Sequence, residues 1–359
     1  MVRIRSWPRT LWTMRSMLTL HLARMLLGAV MLALVPTVLL PALAQEKPAA
    51  RFDGEALLNA VVQVKARALA NARSNENLGR DRQGTGIVID SIGHVLTIGY
   101  LVIEPDSIEI TTAGAKTVPA VLAGYDHATG FGLLRAQVPL GVKPLELGDS
   151  ARLSEQDPVM VLPAGGRDQA SVARVVSTRR LTGSWEYMLD SAIITAPPTF
   201  SWAGAAPINR DAQLVGVGSL LVRNSASGGS ALGQPAPGNM FVPIDLLKPI
   251  LRDLIAQGRR GGPQRPWLGL ATEEVQGRLM VTRVSQDSPA ERAGLRQGDI
   301  VVGVGADAVK THVELYAKIW ALGAAGVEVP LRVLQDAEVR EVRVRSLDRD
   351  QYFQQKPGT

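Results

Sequence analysis

The sequence predicts an all-β barrel or sandwich followed by a smaller mixed domain, and two observations carry that prediction. From Gly84 onward, short apolar runs recur at near-regular spacing between turn residues, the pattern of an all-β barrel or sandwich. A break, Gln257-Gly-Arg-Arg-Gly-Gly-Pro-Gln-Arg-Pro266, then separates these runs from a segment in which strands surround one helix. Its composition is that of an interdomain linker.

The first 44 residues hold five arginines (Arg3, Arg5, Arg9, Arg15, Arg24) and no acid, then an uncharged run from Met25 that closes on Ala42-Leu43-Ala44. This is a secretory signal pattern. Pro36, Pro41 and the small-x-small ending favour cleavage after Ala44. The apolar run is also close to the length that spans a bilayer, so an uncleaved anchor is the alternative, and membrane association is expected only in that case. Without the leader, 34 basic side chains face 33 acids and the formal charge falls from +6 to +1. The remaining 315 residues suit two domains. No basic stripe or aromatic stacking set appears, which argues against nucleic acid as a partner. The absence of cysteine excludes a thiolate nucleophile, a cysteine metal site and a disulfide frame. No metal and no cofactor is expected.

Strands are predicted at 86–90, 94–97, 107–111, 118–122, 131–136, 158–162, 170–177, 188–195 and 213–222, and helical period at 54–70 and 245–255. The Gly/Ser/Ala/Pro-rich segment 224–238 reads as a loop. Beyond the linker, strands are expected at 279–284, 300–304 and 329–334. A helix begins at Thr311, where Thr311 and Glu314 form a capping-box pair. Leu315, Ile319 and Leu322 share one face of it.

Several segments resemble the HtrA (Deg) protease family. Gly84-Thr-Gly86-Ile-Val-Ile-Asp90 with His94-Val-Leu-Thr97 looks like the family's opening, and Asp126-His-Ala-Thr-Gly130-Phe-Gly-Leu133 like its acid segment. Ser201-Trp202-Ala203-Gly204-Ala205-Ala206-Pro207-Ile208-Asn209 is similar to the nucleophile loop of a trypsin-like serine protease. Later family segments match in order at 171–177, 239–245 and 246–251. Pro266-Trp-Leu-Gly-Leu270, Asp287-Ser-Pro-Ala-Glu-Arg-Ala-Gly-Leu295 and Gly298-Asp-Ile-Val301 resemble a bacterial PDZ domain. The resemblance implies an all-β double barrel of trypsin-like type at 52–256, a linker at 257–265 and a small α/β PDZ domain at 266–347.

Laid on that family, the triad places read Tyr100 for the histidine, Gly130 for the aspartate and Ala203 for the serine. Acyl transfer by this route needs a hydroxyl to attack, an imidazole to carry its proton and a carboxylate to orient the imidazole. None of the three replacements can do this. The leaderless chain has three histidines. His94 reads as a solvent-facing strand-start residue, about 20 Å along a strand from the family position. His127 reads as a surface residue, and His312 as a groove-edge or surface residue of the PDZ helix. Ser201, about 6–7 Å from Ala203 along an extended chain, and His127 are the fallback catalytic candidates. Trp202 and Tyr100 suggest either a filled pocket or ordinary packing.

A PDZ domain adds an extended C-terminal peptide to a sheet edge and receives its carboxylate on backbone amides. Here the resemblance assigns that loop to Trp267-Leu268-Gly269-Leu270 and the helix wall to His312, Tyr316 and Trp320, with Leu315 and Ile319 in the core. The expected function is an exported, periplasmic pseudoprotease that binds unfolded polypeptides or protein C-termini as adaptor, sensor or chaperone in envelope protein quality control. One alternative is a serine-type endopeptidase with a non-standard site. The other is a regulator anchored in the inner membrane facing the periplasm, acting on an active relative in mixed oligomers. Family members trimerise through the N-terminal part of the barrel domain, where Phe52 is a candidate contact for a homo-trimer.

Overall fold

The computed structural model of the protein describes residues 53–225 and 236–353. The expectations for the leader, for Phe52 and for 226–235 of the Gly/Ser/Ala/Pro-rich segment lie outside the described residues. Asp53 caps helix α1 (Gly54–Asn59), its Oδ1 accepting from the Ala56 amide at 3.0 Å. The helical period expected over 54–70 ends there, and Val61–Ala68 is strand β1. Val62, Val64, Ala66 and Ala68 turn inward at period two while Lys65 and Arg67 face solvent, an alternation that only a strand satisfies. The β-branched valines favour the same outcome.

β1 and the strands β2 (Asp81–Val88), β3 (His94–Ile98), β4 (Pro105–Thr111), β5 (Thr117–Tyr125) and β6 (Phe131–Ala136) close a barrel in the order β1-β2-β3-β6-β5-β4. Pairing of β1 with both β2 and β4 makes the closure, Val64 lying opposite Gly84 on one side and Ile110 on the other. Val62, Val64, Ile87, Leu96, Ile110 and Leu133 fill the interior, each worth roughly 1.5–3 kcal/mol of burial. Short helix α2 (Asn75–Leu78) lies between β1 and β2.

The second half is a six-stranded sheet, β10-β7-β8-β9-β12-β11, from β7 (Pro158–Leu162), β8 (Ser171–Gly183), β9 (Tyr187–Ala196), β10 (Ala206–Ile208), β11 (Gly216–Val222) and β12 (Gly238–Pro243). Its two ends approach one another through the bridge Ile208↔Leu214 and through hydrogen bonds from the Val215 amide to the Pro207 carbonyl at 3.0 Å and from the Gly218 amide to the Ala205 carbonyl at 2.8 Å. Among the described residues a continuous ladder closes the first of the two barrels expected, and the ends of the second sheet are joined by these fewer bonds. The helix expected from Asp245 starts as a single 3-10 turn, Ile244–Leu246, and α3 runs only over Leu251–Gln257. Pro249 intervenes, and proline cannot donate within a helix.

The C-terminal sheet follows the order β13-β14-β15-β17-β18, from β13 (Leu270–Val275), β14 (Arg278–Val284), β15 (Ile300–Val304), β17 (Glu328–Gln335) and β18 (Glu338–Arg345), with β16 (Asp307–Ala308) on β15. Helix α4 (Pro289–Arg292) and helix α5 (His312–Ala321) cover it. The capping box at Thr311 and Glu314 is formed, and Leu315, Ile319 and Tyr316 enter the core beside Leu268, Val281 and Val301.

The linker is tied down in spite of its composition. Arg260 forks onto Asp126 of the barrel at 2.8 and 3.1 Å. Arg259 pairs with Asp348 at 2.6 Å and with Asp350 of the last helix, α6 (Arg349–Tyr352), at 3.3 Å. Because the Asp126 side chain is 2% exposed, removing its cation strands a desolvated charge. Arg260→Ala is expected to lower stability by about 1–3 kcal/mol, read from the urea midpoint.

Asp245 supplies an acid-sensitive tie. Its carboxylate accepts from the Ser150 hydroxyl at 2.7 Å and the Ala151 amide at 2.8 Å and pairs with Lys248. Burial alone would raise its pKa, but Lys248, Ser150 and Ala151 bring it down to about 2. A carboxyl held lower in the folded state stabilises above its unfolded value of about 4 and loses that contribution as pH falls through about 2. With the site part-exposed, the term is on the order of 1 kcal/mol. Asp245→Asn should lose that much at pH 6 and show a flatter stability profile between about pH 4 and 2, followed by urea unfolding across that range.

Candidate functional site

Two places carry the sequence-derived site residues: a cleft between the first barrel and the second sheet, and the loop that opens the C-terminal domain. In the cleft, Tyr100 sits on the 3-10 turn Gly99–Leu101 that follows β3. Its hydroxyl donates to the Ser219 carbonyl at 2.8 Å, and Tyr100 lines one cavity together with Trp202. Burial pushes the phenol pKa up, so it stays protonated and committed to Ser219. The two aromatics that the sequence left unplaced therefore border the same cavity.

Gly130 precedes β6 with φ +85°. Its carbonyl accepts from the Gly99 amide at 2.7 Å. A Cβ built there would lie 3.5 Å from Ile98 Cδ1 and 3.7 Å from the Tyr187 hydroxyl. That hydroxyl donates to the neighbouring Thr129 carbonyl at 2.7 Å. On the third segment, the Ala203 carbonyl accepts from the Thr85 amide at 2.9 Å and the Gly204 amide donates to Gly218 at 2.8 Å. Gly204 has φ +77°, and a Cβ on it would fall 2.0 Å from the Thr85 carbonyl oxygen, so only glycine lets this loop lie against β2.

A cavity of about 530 Å³ remains in the cleft, with Tyr100, Gly130, Trp185, Tyr187, Trp202 and Trp267 among its walls. The fallback pair is not assembled there. Ser201 is exposed, and among the described residues no hydrogen bond links it to His127. The surface reading of His127 is corrected: its ring packs edge-on against Tyr125 at 4.3 Å and stacks on Phe353 at 5.5 Å. Its Nε2 lies 2.8 Å from Asp350, while its buried Nδ1 has no partner. Burial lowers the His127 pKa against the opposing pull of Asp350. Burial would raise Asp350, but His127 and Arg259 hold it low. The pair is thus a neutral imidazole donating to a carboxylate, a structural tie. His94 does start a strand, but it is buried rather than solvent-facing, its Nδ1 2.6 Å from Asp90.

The second place is organised by a residue that the sequence reading missed. The amides of Leu268, Gly269 and Leu270 converge on the Glu186 carboxylate, Leu268 reaching Oε2 at 2.9 Å and Gly269 and Leu270 reaching Oε1 at 2.7 and 2.9 Å. Gly269 has φ +88°, and a Cβ on it would strike Ser288 at 2.3 Å; glycine is needed for the amides to turn together. Glu186 stands at the tip of the β8–β9 hairpin, also at positive φ (58°). Glu186 is half-buried as a residue, with its carboxylate end enclosed. That enclosure pushes the carboxyl pKa up, and the amides of Leu270, Leu268 and Gly269 oppose it by stabilising the anion.

The hairpin tip makes further contacts on the same side. The Thr272 amide at the start of β13 donates to the Ser184 carbonyl at 3.0 Å. The Tyr316 hydroxyl donates to the Gly183 carbonyl at 2.7 Å and accepts from the Glu186 amide at 3.2 Å. Segment 183–186 thus lies between β13 and α5. Of the helix residues named from sequence, Tyr316 touches the hairpin. His312 is buried and turns its Nε2 to the Thr272 carbonyl at 2.9 Å. It stacks on Tyr316, which stacks on Trp320, at 5.5 and 5.6 Å between centroids. Trp267 instead packs on Tyr352 at 4.4 Å. An acid in a turn between two strands was the sole sequence sign of Glu186, and it does not distinguish this acid from any other turn acid.

Comparison with known proteins agrees with this division. Residues 84–217 match the trypsin-like peptidase domain and residues 266–345 the PDZ domain. A Haemophilus influenzae protein named "Probable periplasmic serine protease do/HhoA-like" is 28% identical over 274 residues, 73% of this chain and 57% of its own length. "Serine endoprotease DegS" of the same organism is 26% identical, covering 68% of this chain and 71% of its own. "Probable periplasmic serine endoprotease DegP-like" of Pseudomonas putida is 24% identical over 73% of this chain and 55% of its own. The chain thus spans a little over half the length of the first and third of these relatives. A solved structure, "HtrA-type protease AlgW with decapeptide", overlaps with a TM-score of 0.49 at 16% identity, over 84% of this chain and 97% of that one. Among the described residues no helix is long and apolar enough to cross a membrane. The chain carries a trypsin-like peptidase domain followed by a PDZ domain, and serine proteases of the HtrA, DegP and DegS type are its homologues.

Proposed function

We propose that this protein is an exported, periplasmic HtrA-like pseudoprotease that binds polypeptides by their C-terminal carboxylates in its PDZ domain, as an adaptor or sensor in envelope protein quality control. The observation that carries the reading is the trio of amides at Leu268, Gly269 and Leu270, which already hold a carboxylate at 2.7–2.9 Å. Hydrogen bonds to a charged acceptor are worth roughly 1.5–3 kcal/mol each. A loop of this shape therefore discriminates a free carboxylate from an amide. Leu268 and Leu270 on either side of Gly269 suit an apolar last side chain.

Loss of proteolysis is the second half of the proposal. Tyr100, Gly130 and Ala203 are taken as the vacated triad positions. In place of a nucleophile–base–acid set, the cleft holds a phenol hydrogen-bonded to the Ser219 carbonyl, and Gly130 and Ala203 offer neither a carboxylate nor a hydroxyl. The assembly is not one substitution from activity.

Two outcomes are expected. Unfolded casein incubated with the mature protein, or with its Ala203→Ser variant, stays intact by gel and mass spectrometry. Cleavage that disappears in Ser201→Ala or His127→Ala would reverse the assignment. Decapeptides with a free carboxyl and an apolar last residue bind by fluorescence polarisation, and amidation of the same peptides costs at least about tenfold in Kd.

A further inference from the structure

We infer that the peptide groove is closed in cis by the protein's own β8–β9 hairpin, with Glu186 acting as an internal stand-in for a ligand's C-terminal carboxylate. This rests on the peptide-binding reading above and adds how that site is regulated. Three independent interactions reproduce what an added peptide makes. The Glu186 carboxylate takes the three amides that would receive a terminal carboxylate. The Ser184 carbonyl takes the Thr272 amide on the edge of β13, the first rung of an added strand. Tyr316, on the helix wall, fixes the hairpin from the other side through Gly183 and Glu186. One carboxylate saturates the loop, so the hairpin and an outside C-terminus exclude each other.

The hairpin belongs to the same chain, so its local concentration does not depend on dilution, and an outside ligand binds only the fraction of molecules in which it has left. If the loop is held by Glu186 nine-tenths of the time, apparent affinity falls about tenfold. The ligand class follows from the competition. Only a partner offering a carboxylate together with an extended backbone for β13 and an apolar last side chain substitutes for everything the hairpin supplies. An internal acidic loop or a small carboxylate substitutes for the Glu186 carboxylate alone.

The test uses the leaderless full chain and a pool of decapeptides with free carboxyl and apolar last residue, measured by polarisation, beside hydrogen exchange at 268–270. Glu186→Ala removes the internal carboxylate, and Glu186→Gln keeps the size while removing the charge. Tyr316→Phe loosens the hairpin with the amides left intact, which covers the case of Glu186→Ala failing to fold. The expected result is peptide affinity at least tenfold higher in Glu186→Ala than in wild type, with Glu186→Gln and Tyr316→Phe between them. Amides 268–270 should be protected in wild type and exposed in Glu186→Ala, and protected again when peptide is added. Equal affinity in wild type and all three variants overturns the closure while leaving the peptide-binding reading intact. Binding by none of them, with the amides freed in Glu186→Ala, removes the peptide-binding reading and makes the hairpin a fixed structural brace. Peptide carrying a C-terminal amide should gain nothing from any of the variants.

Discussion

A single enclosed carboxylate joins the two functional halves of this chain. An ionised acid taken out of water is costly unless it is paired or fully hydrogen-bonded, and among the described residues Glu186 is in no salt bridge, Arg349 acting on it only through its field. Its compensation comes from three backbone amides of a loop more than 80 residues away. Those amides in turn are orphans at the edge of a sheet and need an acceptor. Each side thus removes the other's penalty, which places the C-terminal domain against the hairpin in one register.

The same hairpin reaches the cleft. Ser184, Trp185 and Tyr187 wall the 530 Å³ cavity beside Tyr100 and Trp202. Tyr187 is anchored on Thr129, next to the glycine at 130. Aromatic packing and phenol–carbonyl bonds order that region together with charged groups outside the triad places, Arg82 donating to the Tyr100 carbonyl at 3.2 Å and Asp126 accepting from the Thr129 amide at 3.0 Å. The buried imidazole nearby is spent in the same way, His127 serving with Asp350 and Phe353 to seat helix α6.

Local patterns in the sequence were sufficient for most strands. The runs at 131–136, 158–162 and 300–304 coincide with β6, β7 and β15, since each is a buried apolar stretch bounded by turns. The capping box at Thr311 is local chemistry and so was readable. The helix expected over 54–70 failed because Val61, Val62 and Val64 satisfy both periods in a short window, and tertiary pairing on both sides of β1 decided between them. His94 and His127 were misplaced toward the surface for a related reason. Each is covered by a partner distant in the chain or in a turn, Asp350 for His127 and Asp90 for His94. Glu186 was out of reach altogether, because nothing in a hairpin turn encodes which loop its side chain will meet.

Why the hairpin can serve both domains follows from strand geometry. Successive side chains on β9 point to opposite faces. Tyr187 and Leu189 accordingly join the barrel core while Met188, between them, packs on the core of the C-terminal domain. One turn earlier, Glu186 and the carbonyls of Gly183 and Ser184 face β13 and α5. The long β8–β9 ladder carries register shifts at Val175/Ser177 and Arg179/Leu181, and such bulges bend and twist a ribbon locally. Beyond the second shift only the pairs Leu181↔Leu189, Thr182↔Met188 and Gly183↔Tyr187 remain before the turn. The tip therefore stands on a short paired segment set off from the rest of the ladder by the second shift. Moving it breaks the Glu186, Ser184 and Tyr316 hydrogen bonds together, while the ladder behind the bulge stays paired. Hydrogen bonds that break as a unit are what an all-or-none competition between an internal and an external carboxylate requires.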